Sequence, residues 1–212
     1  VVNVVPDYSR LWVRVRDPKR DVMLPTFERV KAMAEGAAIM ANVEYKYSLI
    51  SGIYETLVNR EGGKIMQNNL ELLGPITYTE EEITYGKAIQ EATGKPQVGM
   101  DGEVHPLKET QELPGGGSTD VGDVSWNVPN INLGVTVAPK DTPWHSWAVV
   151  ACGGMSIGHK GMIYASKAMG MTMLDLFDDP KLVEKVKEEY KTRKGDVKYE
   201  AMIDGPPPIP GK

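Results

Sequence analysis

The chain has 212 residues, 41% hydrophobic and 25% charged, with a formal net charge of −5. That composition suits a globular protein with a sizeable core in one or two domains, and it carries no Lys/Arg block that would point to nucleic acid or an anionic membrane as partner. The lone cysteine, Cys152, excludes an internal disulfide and fits a reducing, cytoplasmic setting.

The N-terminus VVNVVPDYSR has no basic region followed by an apolar core, so it is not a secretory signal. It runs at once into strand-like residues, as if the chain started inside something larger. No run of about eighteen apolar residues exists to span a membrane.

Taken in chain order, Arg10 to Arg16 alternate. Leu11, Val13 and Val15 share one face, and Arg10, Trp12, Arg14 and Arg16 share the other. Period two predicts a strand, broken by Asp17-Pro18. Pro25 to Ala41 repeats apolar residues at three- and four-residue spacing, which predicts a helix with Pro25 in its first turn. Val43 to Ser51 alternates again. Strand, helix and strand predict a small sheet with a helix on one face.

Gly62 to Leu73 predicts a helix ended by Gly74-Pro75. Thr79-Glu80-Glu81-Glu82 is a capping-box signature, opening a helix that runs to Thr93 and stops at Gly94. Residues 94–118 form a long polar segment. Ile131 to Pro139 predicts a buried strand. Gly161 to Phe177 predicts a largely apolar helix, covered on both sides and using its methionines as core filler. A charged helix follows Asp178-Asp179-Pro180, and GPPPIPGK ends all helix. The clearest change of composition lies near residues 55–60.

Three stretches could carry chemistry. Asn3 offers an amide and Arg16 a two-pronged donor suited to a carboxylate. The plain alternative is a pair of solvated side chains on a strand. Gly117, Ser118 and Thr119 lie in GGGSTDVGD, where glycine lets a backbone approach a ligand closely, or serves only as a hinge before a helix cap. A phosphate loop would need Gly-Lys-Ser/Thr, which is absent. His145 sits between two tryptophans in DTPWHSW, as a metal or substrate ligand or as a half-buried histidine with one hydrogen bond. Only His105 and His159 complete the histidine set, and no pair has helical metal-site spacing. Cys152 reads as a small buried thiol, with a thiol enzyme using Cys152 and His159 as a weaker alternative.

Taken together, NVVPDYSRLWVRVR, GSTDVGDVSWNVP and WHSWAVVACGGMSIGHKGMIYASKAM resemble the aminobenzoyl-glutamate utilisation protein B group. That group belongs to the metal-dependent amidohydrolases and carboxypeptidases, beside carboxypeptidase G and allantoate amidohydrolase. The resemblance runs in order over residues 1–200 and implies an α/β fold. Residues 1–57 would be the second half of an α+β lid or dimerisation domain. Residues 58–203 would be the C-terminal half of the α/β catalytic domain, and 204–212 a Pro-rich tail.

It further implies two divalent metals, zinc or manganese, in each complete active site. His145 would be the last metal ligand. Asn3 and Arg16 would bind the substrate's carboxylate, and Gly117, Ser118 and Thr119 would touch the substrate. The family's other metal ligands and its general-base glutamate lie before the lid, outside these 212 residues, so no catalytic residue is expected in the chain. The expectation is the C-terminal part of an amidohydrolase acting on a small amide substrate with a carboxylate. It would be inactive alone, and completed by a companion N-terminal half or as a homo-oligomer. A non-catalytic binding or assembly module from the same family is the competing reading.

Overall fold

The computed structural model describes residues 3–108, 117–203 and 205. Among them are seven helices: α1 (Arg20–Ala41), α2 (Arg60–Leu73), α3 (Glu80–Ala92), α4 (Val121–Ser125), α5 (Trp147–Gly153), α6 (Ser156–Asp178) and α7 (Pro180–Lys194). No strand occurs among the described residues. The α/β expectation, with its α+β lid portion, is therefore overturned: the described architecture is helical.

Segments 10–16, 43–51 and 131–139 are non-helical, yet none of them is a strand. A strand exists only through ladder hydrogen bonds to a neighbour, and alternation alone does not supply one. In the first segment both faces are open, with Leu11 89% and Trp12 81% exposed.

The chain divides into two compact units. The first takes Val1–Thr56, Leu113–Asp123 and Lys198–Lys212, and the second takes Leu57–Glu112 and Val124–Val197.

In the first unit, α1 begins five residues before Pro25, so the proline lies inside the helix rather than in its first turn. Asn42 closes α1 in the left-handed region, φ 54°, and its N–H reaches back to the last turn. Tyr54 is the unit's buried centre. The Arg20 guanidinium lies 4.3 Å over its ring, its hydroxyl donates to Glu200 O (2.9 Å), and its N–H donates to Asp123 Oδ1 (3.2 Å).

The second unit is built on α6, which packs against α2, α5 and α7. Buried Asn69 of α2 donates to Thr172 Oγ1 (3.1 Å) and to Asp175 Oδ2 (2.6 Å), joining α2 to α6. Asn59 caps α2 by accepting from Gly62 N, and donates to Val186 O of α7 (2.8 Å). Thr79 and Glu82 form the full capping box at the start of α3. The inner face of α6 buries Ile157, Gly158, Gly161, Ala168 and Thr172. Its outer face leaves Met162, Ile163, Met173, Leu174 and Phe177 exposed among the described residues, so the expected cover on both sides is absent.

Segment 131–139 is held by the lack of side chains on three helices. A Cβ on Gly62 of α2 would stand 2.5 Å from Ile131, and one on Gly161 of α6 would stand 2.5 Å from the Thr136 carbonyl oxygen. One on Gly86 of α3 would lie 3.3 Å from Pro139. Glycine at these points lets each helix lie directly on the segment.

Candidate functional site

Segment 131–139 leads straight into DTPWHSW, and the second unit fixes the junction with buried polar groups. Gln90 of α3 is fully buried. Its Oε1 accepts from Gly99 N (2.8 Å), and its Nε2 donates to Lys140 O (2.9 Å). Lys140 N in turn donates to Gly99 O (3.2 Å). One side chain thus ties two loops to a helix, and every one of these groups would be costly to bury unpaired. Thr142, also buried, donates from its hydroxyl to Pro139 O (2.6 Å).

Beyond that anchor the loop turns sharply. Asp141 and His145 both have φ 61°, the left-handed region. Asp and His both take this region more readily than most residues other than glycine, and together they make the turn. Ser146 Oγ donates to Pro143 O, closing the turn before α5. On its inner side α5 buries Ala148 and Cys152 against Ile89 of α3, and Tyr85 donates from its hydroxyl to Ala151 O (3.0 Å). Burial pushes the Cys152 thiol up from its ordinary value, the opposite of what a nucleophilic cysteine needs.

The result is a histidine displayed at the surface. His145 is exposed, and Trp144 and Trp147 beside it are 69% and 57% exposed. No described residue hydrogen-bonds its ring. The half-buried, hydrogen-bonded histidine is therefore not what the loop presents. Next to it opens a cleft of about 630 Å³, lined by Val135–Pro139, Asp141, Thr142, Trp144, Val149, Lys95 and Pro96.

The ring can serve as one ligand of a metal, since both nitrogens are unengaged and accessible. No group of three His, Cys, Asp or Glu side chains able to hold a metal occurs among the described residues. His105 pairs instead with Asp101 Oδ2 (3.0 Å), and His159 lies within the first turns of α6.

The other sequence-predicted residues lie in the first unit, and His145 in the second. Asn3 and Arg16 are both exposed, and Asn3 makes no hydrogen bond among the described residues. Gly117, Ser118 and Thr119 form an exposed stretch before α4, while residues 115 and 116 of the glycine run lie outside the described residues. Thr119 acts as a helix cap, its Oγ1 accepting from Val121 N (3.3 Å) and its carbonyl from Gly122 N. Tyr54 O fills the space a Gly122 Cβ would need, which fixes the end of this stretch.

Gln90, Thr142, Asp141 and Lys95 shape the site without any signal in the sequence that marks them. Gln90 lies 50 residues before the carbonyl it binds, and no local pattern announces such a pairing.

No protein-family model and no solved structure matches the chain. Among curated proteins, it is similar to a p-aminobenzoyl-glutamate hydrolase subunit of Escherichia coli (strain K12), 29% identical over 217 aligned positions that cover 89% of this chain. The chain spans 44% of that protein's length. The resemblance carried by the three strings thus stands, as a likeness across most of this chain and less than half of its relative.

Proposed function

We propose that this chain is part of a metal-dependent amidohydrolase that cleaves the amide bond of an N-acyl amino acid such as aminobenzoyl-glutamate. The observation that carries the reading is His145, an exposed and unpaired imidazole in a left-handed turn, next in sequence to a residue that lines a cleft. The likeness to part of a hydrolase supports it.

His145 would give one nitrogen to a divalent ion, zinc or manganese, which when bound supplies Lewis acidity toward the amide carbonyl. The buried Gln90 and Thr142 hold the backbone that leads into its loop. Arg16 would grip the substrate's carboxylate through its planar fork, and Asn3 would add an amide N–H. Gly117 would offer backbone N–H groups to the substrate, with Ser118 and Thr119 beside it. The remaining ligands and the general base would come from a companion polypeptide, the part of the assembly that this chain does not span.

The test is elemental analysis and hydrolysis of aminobenzoyl-glutamate, on this chain alone and mixed with its companion. Metal and activity should appear only in the mixture and vanish in His145→Ala. Absence of metal from both samples would reject the reading and leave a binding module in its place.

A further inference from the structure

Helix α6 commits one face to the core and leaves the other open. Met162, Ile163, Met169, Met173, Leu174 and Phe177 recur at three- and four-residue spacing along one outward stripe, each of them 50–82% exposed. Buried Ile157, Gly161, Ala168 and Thr172 fix the rotation of the helix, so it cannot turn that stripe inward. No charged side chain falls within the stripe, and Lys167 stands at its edge.

A large side chain presents roughly 200 Å² in full. The exposed fractions of these six thus leave about 700 Å² of apolar surface open, more than the largest patch on an ordinary monomer and close to the roughly 800 Å² that each partner gives to a standard interface. The middle of the stripe is small. Ser166 and Gly170 lie one turn apart, and a Cβ on Gly170 would meet nothing within 4 Å. The Ser166 hydroxyl already donates to Met162 O (2.9 Å), so covering it leaves no group unpaired. Two helices packed through their i, i+4 ridges cross at about 50° and diverge on either side of the crossing. Small residues at the crossing and large ones beyond it match that shape. The order of sizes is also symmetric about Ala168. Met162 and Ile163 lie as far before it as Leu174 and Met173 lie after it, and Ser166 as far before as Gly170 after. A face with that symmetry is complementary to itself under a two-fold rotation, the symmetry of most dimers.

We propose that the outer face of α6 is the seat of a second copy of this chain, with two antiparallel α6 helices crossing at Ser166 and Gly170. Met162 and Ile163 of one copy then pack on Met173 and Leu174 of the other, at both ends of the crossing. His145 takes no part, so this surface stands independently of the metal reading.

The experiment is sedimentation equilibrium of the full chain over a wide concentration series, where a monomer–dimer equilibrium is expected. Gly170→Leu sets a large side chain at the crossing. A single copy has room for it, and a helix gains from the loss of a glycine. The substitution should weaken the dimer by at least about tenfold without lowering the melting temperature of the dilute, dissociated chain. Leu174→Glu, at an exposed position, should weaken it as much by placing a charge against Ile163 of the other copy. Circular dichroism checks that both variants stay folded. A chain that stays monomeric throughout overturns the proposal and leaves the face to a partner of another sequence. A dimer that keeps its affinity in either variant overturns it too, because the copies then meet elsewhere.

Discussion

Lys160 Nζ, on α6, lies 2.6 Å from Glu82 Oε2, on α3, and the same ammonium donates to Thr77 O (2.9 Å). Glu82 already closes the capping box of its own helix. One carboxylate thus ends a helix and fastens it to another. Burial by itself would raise its pKa, but hydrogen bonds from Lys160 and Ser156 and from the Thr79 N–H hold it down at about 2, against an ordinary 4.5.

The sign of the pH effect follows. A depressed folded-state pKa gives stability that is complete above 4.5 and is lost as the pH falls toward 2. Glu82→Gln should lower stability at pH 7 by about 2 kcal/mol, the scale of a charge-assisted hydrogen bond, and flatten the acid limb. Urea melts at pH 7, 4 and 2.5 measure this. An unchanged acid slope in the variant would assign the effect to other carboxylates.

Gln90→Ala removes the tie between α3 and both loops. It leaves the buried Gly99 N–H without this partner and removes the bond to the Lys140 carbonyl, and should cost about 2 kcal/mol. The loss should also loosen the junction that feeds DTPWHSW. Limited proteolysis of the folded variant should then cut near residues 140–145, where the parent resists. Equal resistance in the two proteins would mean that Thr142 holds the loop alone.

His145→Gly should raise the melting temperature, corresponding to about 1 kcal/mol, because glycine adopts φ 61° without the penalty histidine bears. Asp141→Gly should gain a similar amount, since aspartate and histidine tolerate the same region alike. Under the metal reading, the first substitution stabilises the fold while abolishing metal retention. Calorimetry of the chain and elemental analysis of its mixture with the companion test the two halves.

Cys152 should resist thiol reagents in the folded protein and react fully only in denaturant, since it is fully buried and its pKa is raised. Rapid labelling under native conditions would reopen the thiol-enzyme reading.

Helix chemistry is legible in the sequence because its determinants are local. Thr79 and Glu82 announce α3 through three-residue spacing, and Gly74 and Gly94 mark two helix ends, each with positive φ. Helix α5 is not legible, because its seven residues are too few for a period to show. The strands fail for another reason. Alternation in Arg10–Arg16 and an apolar run in Ile131–Pro139 describe how a segment would use a sheet, but a sheet needs a neighbour. At the site, His145 stands out by its composition, whereas its left-handed backbone and the buried Gln90 that anchors its loop depend on distant contacts.

Gly62, Gly86 and Gly161 carry a consequence for how this protein can vary. At Gly62 and Gly161 a helix rests on segment 131–139 with no room for a methyl group, and at Gly86 one would fit only tightly. The first two act as notches, so neither α2 nor α6 can slide along the segment by one residue. A shift along α6 would set Lys160 or Met162 against the Thr136 carbonyl. A one-residue deletion in the stretch from Trp147 to Lys160 would force either that shift or the unwinding of α5. Length changes there should be rejected, while the exposed Gly117–Thr119 should tolerate them.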